Sequence, residues 1–541
     1  MMGVTCDTEG KVTALDLSEE SISGGFDNSS SLFSLQHLQK LNLAYNHFNS
    51  VIPSGFNRLE NLSYLNLSGA GFLGQIPIEI SQLTSITVPA HEWWRPLLSL
   101  HGLQELSMSW CKLSGPLDSS LGRFENLSVI VLNGNILSSP VPETFSHLNK
   151  STILSLHNCN LIGTFPPKIF NIGTLSVLDI SFNYNLNCFF PDFPLNGSLQ
   201  TLRIGVTNIN GGLPHSIGNM RHLSELDLYS CGFDGTIPNS LPNLTKLRSF
   251  PTSIFQLSTL SVLRLSSNRF YGLVNLNKLL ELKSLTELDL SYNNLSININ
   301  VTNAYPSFPN ILTLNLASSN LTTFPSFLRN LYGPVQKFPT NLFTLDLHDN
   351  KFQGPIPIFP EQAMYMDFSS NKFDYFIAQD IGNYLSQMSF LSFANNTLNG
   401  SIPSSLCKAS LLAALDLSNN KISGLIPSCF MNISNNLKVL NLNNNNLSGH
   451  IPDVVPTPCN LRTLNLRGNQ LNGSIPRSLA YCSKLEVLDL GSNQIIGDFP
   501  CFLKEISTLP FASVYGSYQQ MVVSIDGSVS YPLVFINELI N

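Results

Sequence analysis

Seven aspartates could do chemistry by their repetition alone. Asp16, Asp179, Asp227, Asp289, Asp346, Asp416 and Asp489 each stand between two aliphatic residues, as in Leu226-Asp-Leu228. Carboxylates at one recurring position suggest a row about 5 Å apart on neighbouring strands, which could hold cations or share protons. Acid–base work, however, needs two groups held at different pKa values, and identical environments tune them alike. The phrase Leu-Asp-Leu-Ser recurs as a unit, so the aspartates read as part of a repeated scaffold. Other signatures are absent. His91-Glu92 is followed by Trp93-Trp94-Arg95 and lacks the second histidine of a zinc protease helix. There is no phosphate-cradling glycine loop and no G-x-S-x-G. The reading is therefore no enzyme, no catalytic residues, no metal site and no cofactor.

What must position such a row is visible in residues 461–500. Leu461-Arg-Thr-Leu464-Asn-Leu466-Arg-Gly-Asn469 is followed, twenty-four residues on, by Leu485-Glu-Val-Leu488-Asp-Leu490-Gly-Ser-Asn493. The leucine alternation predicts a short strand with one face inward. The asparagine falls where the chain leaves the strand, and its amide can pair with backbone groups left unbonded by the bend. Gly-x-Ile-Pro follows at Gly74–Pro77, Gly235–Pro238, Gly354–Pro357 and Gly449–Pro452. A single such coil cannot bury its leucines; a stack can. The fold class is an α/β leucine-rich-repeat solenoid, a right-handed superhelix with a parallel concave β-sheet. Its convex side is expected to carry 3₁₀ or short helical turns, as at Arg477-Ser-Leu-Ala-Tyr481.

About nineteen coils can be traced, and they divide the chain into a remnant of an N-terminal cap (1–11), a solenoid (12–508) and a degenerate non-repeat tail (509–541). The step breaks near 78–102, 239–259 and 324–341, where loops on the outer side or lost repeats are expected, because a sheet does not accept a fractional coil.

Of the 541 residues only 12% are charged, and the net charge is −7. Nucleic-acid binding would call for a basic stripe, so it is excluded. No apolar run of about eighteen residues spans a membrane, and the first residues have no signal-peptide character. About fifteen N-x-S/T sequons nonetheless point to a secreted chain; Asn28, Asn126, Asn149, Asn196, Asn243, Asn300 and Asn432 are the glycosylation candidates. A glycan on Asn66 would block part of the concave sheet. Cys111, Cys159 and Cys231 fall in the asparagine slot and read as buried thiols. Cys459 and Cys482 precede successive strands at matching offsets and are a disulfide candidate, while Cys407, Cys429 and Cys501 are left unpaired by spacing.

The concave wall is then the binding surface. Positions that depart from the repeat consensus are the better candidates, because the scaffold does not require them: Glu105, Trp110, His157, Phe182, Arg203, Tyr229, Arg264, Tyr292 and His348. Aromatic and arginine side chains on rigid strands are the usual anchors of recognition.

With Gly3-Val-Thr-Cys-Asp7, Leu41-Asn-Leu-Ala-Tyr-Asn46, Gly71-Phe-Leu-Gly-Gln-Ile-Pro77 and Tyr365-Met-Asp-Phe-Ser-Ser-Asn371 in view, the chain resembles plant leucine-rich-repeat receptor-like proteins. The likeness is to the cell-surface disease-resistance type, similar to Verticillium-wilt resistance receptors. It implies a non-catalytic extracellular ectodomain at the plasma membrane that recognises a pathogen- or plant-derived protein or peptide ligand. Signalling would pass through a receptor-kinase adapter and co-receptor. That family's signal peptide, paired N-terminal cap, final repeats and transmembrane helix have no counterpart here, so a truncated chain is expected. The alternatives are a secreted inhibitor of fungal cell-wall-degrading enzymes, similar to polygalacturonase-inhibiting proteins, and a non-functional truncated gene product.

Overall fold

The computed structural model describes residues 3–50, 52–72, 94, 100–195, 197–209, 211–236, 257–276, 282–298, 311–322, 341–357, 359–431, 436–455, 457–496, 502–503, 506, 508 and 511–513. The chain forms two compact units, residues 1–311 and 312–541.

In the first unit, the leucine phrase becomes a three-residue strand whose central residue points inward. Tyr64–Asn66, Glu105–Ser107, Val129–Val131, Ile153–Ser155, Val177–Asp179, Thr201–Arg203, Glu225–Asp227, Val262–Arg264 and Glu287–Asp289 pair in parallel, each in register with the next. Val12–Asp16 and Lys40–Asn42 precede them, and Val4–Cys6 adds an antiparallel strand at the start. The second unit repeats the plan. Its strands are Thr313–Asn315, Thr344–Asp346, Tyr365–Asp367, Phe390–Ser392, Ala414–Asp416, Val439–Asn441, Thr463–Asn465 and Val487–Asp489.

The long steps do not break these sheets. Tyr64–Asn66 pairs directly with Glu105–Ser107, Glu225–Asp227 with Val262–Arg264, and Thr313–Asn315 with Thr344–Asp346. Most of the extra residues themselves lie outside the described residues. At the other end, Phe511–Ser513 pairs in register with Val487–Asp489. That strand lies within the segment read from sequence as a degenerate non-repeat tail, of which residues 514–541 lie outside the described residues.

The outer side differs from expectation in one respect. It carries the expected 3₁₀ turns, among them Ser119–Arg123, Glu143–His147, Ser404–Lys408 and Arg477–Tyr481. It also carries small second sheets, such as Ile162–Thr164 with Asn183–Cys188 and Thr207–Ile209, and Asn446–His450 with Gln470–Gly473. The segment after each asparagine reads as a turn because of its glycine, yet the stack brings equivalent segments side by side where their backbone groups can pair. Gly449 and Gly473, at φ 81° and 77°, let these strands bend into the Ile-Pro return.

The core is the summed inward face of the coils. Leu154, Leu156, Leu178, Ile180, Leu202, Ile204, Leu226 and Leu228 are all buried. Phenylalanines extend it toward the outer side, where Phe233 stacks on Phe270 with centroids 5.6 Å apart. The second unit also holds two disulfides between successive coils. Cys459 is bonded to Cys482, and Cys407 to Cys429, a pair that spacing alone had left unassigned.

Candidate functional site

The asparagine slot holds the wall in place. Asn183 is fully buried; its Nδ2 donates to the carbonyls of Leu156 (2.9 Å) and Ile180 (2.8 Å), and its Oδ1 accepts from the N–H groups of Cys159 (3.1 Å) and Leu161 (2.9 Å). One side chain thus satisfies the bend of its own coil and that of the coil before it. Cys111, Cys159 and Cys231 occupy the same slot, and their Sγ atoms donate to carbonyls of the preceding coil. Burial pushes each of these thiols up to about 12, so none is a nucleophile at neutral pH.

The aspartate row is structural in the same sense. All seven aspartates accept the backbone N–H two residues on through Oδ1, at 2.9–3.1 Å. Each carboxylate closes the end of its strand.

On the first unit's concave face the eight candidates fall in four rows. Glu105 starts a strand, Arg203 and Arg264 end one, and His157 and Tyr229 lie two residues further on. Trp110, Phe182 and Tyr292 form the last row, at the residue just before the asparagine slot, with φ of 57°, 57° and 50°. Left-handed backbone is unusual for aromatic residues, and here it recurs at the exit from the strand in coil after coil among the described residues. It leaves Trp110, Phe182 and Tyr292 exposed, as is Tyr229. Trp110 lies over Gly134 of the next coil, where any larger residue would collide with its ring, and Tyr45 lies over Gly69 in the same way.

The two arginines are not free cations. Arg203 makes a bidentate pair with Glu225, both contacts at 2.7 Å, and reaches Asp179 at 3.7 Å. Arg264 pairs with Glu287 through Nε and Nη2 and with Asp227 through Nη1 at 3.1 Å. The carboxylates raise both guanidinium pKa values further. Sequence reasoning missed these partners. A cross-coil reading would have found them, since Glu225 and Glu287 each open the strand that follows an arginine-bearing one.

A serine and a histidine also meet. His157 Nδ1 lies 2.8 Å from Ser181 Oγ, but that hydroxyl donates to Asp179 at 2.5 Å. With its proton held by a carboxylate, Ser181 is not activated by the imidazole, whose ring packs edge-on against Phe182 at 5.0 Å.

His348, the ninth candidate, lies in the second unit. Its Nδ1 is 2.6 Å from Asp346 Oδ1, and Asp367 stands beside Asp346 on the adjacent strand. Tyr365 stacks on Phe390 at 4.4 Å nearby, a pair that the concave-face candidates read from sequence do not include. Asn28, Asn126 and Asn149 are exposed; Asn196, Asn243, Asn300 and Asn432 lie outside the described residues. No helix among the described residues is long and apolar enough to cross a membrane.

These features define a leucine-rich-repeat protein. Residues 37–59, 102–124, 222–244, 412–433 and 436–457 match the Leucine Rich Repeat family, and 459–505 and 281–296 match related repeat families. The curated relatives are plant receptor-like proteins: receptor-like protein 6 of Arabidopsis thaliana is 40% identical over 230 residues, 42% of this chain and 22% of its own length. The chain thus spans about a fifth of that relative. Among solved structures, the PEPR1–AtPEP1 complex is similar at 25% identity and TM-score 0.65, covering 95% of this chain and 70% of that one. The ectodomain fold also recurs in the Arabidopsis receptor kinase HAESA, solved with the peptide hormone IDA and the co-receptor SERK1. There the identity is 24% and the TM-score 0.62, over 94% of this chain and 87% of that one.

Proposed function

We propose that this chain is the ligand-recognition part of a plant immune receptor-like protein, exposed on the outer face of the plasma membrane and without catalytic activity. The ligand is a peptide or protein, and in a full-length receptor its binding is passed to a receptor-kinase adapter and co-receptor. The observation that carries this reading is the set of exposed aromatic side chains, Trp110, Phe182, Tyr229 and Tyr292, in two neighbouring rows of a rigid strand-built wall that does not need them. Such rings offer large contact area with little conformational entropy to lose. The non-catalytic part is supported by the Ser181–His157 contact, whose proton arrangement is wrong for a nucleophile.

The test is a random-peptide display selection against the intact chain, followed by affinity measurement on variants. Selected peptides are expected to lose at least tenfold in affinity with Phe182→Ala or Tyr229→Ala. They should be indifferent to Tyr481→Ala, an exposed tyrosine on a 3₁₀ turn. Binders that respond only to the turn residue would defeat the proposal.

A further inference from the structure

We propose that Asp346, His348 and Asp367 form a binding site for a divalent transition-metal ion of the zinc class on the concave face of the second unit. One ligand atom from each residue lies within 4.8 Å of the other two. Asp346 and Asp367 are register partners on adjacent parallel strands, and His348 follows Asp346 by two residues. Zinc holds imidazole nitrogen and carboxylate oxygen at roughly 2.0–2.2 Å, which places tetrahedral donors about 3.4 Å apart. Closing the widest spacing takes up to about 1.4 Å of side-chain movement. The 2.6 Å hydrogen bond between His348 Nδ1 and Asp346 Oδ1 opens as the ion binds, and a proton held by the imidazole at that contact is released to solvent.

The argument for a cation comes from comparison along the walls. Where concave carboxylates approach one another elsewhere, a fixed donor serves them. Arg203 lies between Asp179 and Glu225, and Arg264 between Asp227 and Glu287. In the second unit even single concave carboxylates have a donor: Asn441 donates to Asp416 at 2.9 Å, and Arg467 reaches Asp489 at 3.8 Å. Between Asp346 and Asp367, among the described residues, the positively chargeable group is the His348 imidazole. That ring is also the one donor in the series that can ligate a metal.

The scaffold does not ask for it. The same position is Ser369, Ala394 and Ser418 in the following coils. The Oδ1 atoms of Asp346 and Asp367 accept the N–H groups of His348 and Ser369, which fixes both carboxylates. A carboxylate has two oxygens, so this anchoring does not exhaust either group. Asp346 and Asp367 end adjacent strands in register, so two carboxylates face one another there, a juxtaposition that a divalent ion would neutralise. Three protein ligands, each partly exposed, leave a fourth position for water or for a carboxylate or imidazole of a bound ligand.

The experiment uses the intact chain carrying Cys6→Ser, which removes the exposed free thiol found among the described residues as a competing ligand. After chelator treatment, Zn²⁺ is titrated at pH 7.5 by calorimetry and Co²⁺ by visible absorption. One ion per chain is expected, with the Co²⁺ ligand-field bands of a nitrogen–oxygen site. His348→Ser, which installs a residue this position carries in other coils, and Asp367→Asn should each weaken Zn²⁺ at least tenfold and abolish the Co²⁺ bands. Far-ultraviolet circular dichroism should be unchanged in both. Absence of a stoichiometric site, or a site indifferent to both substitutions, would overturn the assignment.

Discussion

Replacing Asn183 with alanine tests the physical basis of the wall. The side chain is fully buried and spans two coils. Truncation leaves the N–H groups of Cys159 and Leu161 without their acceptor, and the carbonyls of Leu156 and Ile180 without a donor. A buried orphan group costs about 1–3 kcal/mol, so the two N–H groups alone amount to roughly 2–6 kcal/mol. A local loss near 4 kcal/mol is expected. Cys159→Ala is the control, because it removes only a weak S–H donor to Leu132 and leaves the backbone bond to Asn183 intact; about 1 kcal/mol is expected. A solenoid opens coil by coil, so a single global unfolding energy is the wrong readout. Hydrogen exchange of the amides from Ile153 to Asn183 gives the local opening energy instead. If the two variants differ by less than about 1 kcal/mol, the asparagine is a space filler and the account of how the coils are locked is wrong.

Three further outcomes follow from the same geometry. The disulfides Cys407–Cys429 and Cys459–Cys482 close loops of 22 and 23 residues, so reduction should lower the local stability of the second unit by about 3 kcal/mol each in the chain-entropy account, read by hydrogen exchange with and without reductant. Asp367 and His348 both titrate above their ordinary values in the folded chain. The folded state therefore holds more protons, and the stability they add is present in acid and lost as pH rises through about 6 and then through the histidine's raised value. Exchange at residues 344–357 and 359–369 should speed up between pH 5 and pH 8 beyond the intrinsic base dependence, by about 1 kcal/mol from Asp367, with His348 acting in the same direction, and Asp367→Asn should flatten the change. The half-exposed Arg264–Glu287 pair is solvent-screened, so a double-mutant cycle with Arg264→Met and Glu287→Gln should give a coupling of only about 1 kcal/mol.

Much of the fold was legible because the repeat is local. Leu485, Leu488, Leu490 and Asn493 fall at fixed offsets within one coil, and a strand, a turn and an inward face follow from them without knowledge of any other coil. The restraint over the aspartates was legible too, since an oxygen that caps its own strand two residues on needs only local sequence. Apart from Cys459 and Cys482, whose matching offsets pointed to a bond between coils, specific side-chain partners more than twenty residues apart could not be read. The sequence presents Arg203 and Arg264 as available anchors, yet stacking places Glu225 and Glu287 against them.

The same limit applied to His348, Cys407 and the segment after 508. By itself the sequence determined what each coil is, because strand alternation, the asparagine bend and the proline return are set by residues a few positions apart. Only the tertiary structure decided what faces what, since lateral contacts join residues whose separation in the chain varies with every loop. Asp367 lies beside Asp346, Cys407 meets Cys429, and Phe511–Ser513 extends the sheet because the stack puts those groups within a few ångströms of one another. No spacing rule within a single repeat contains that distance.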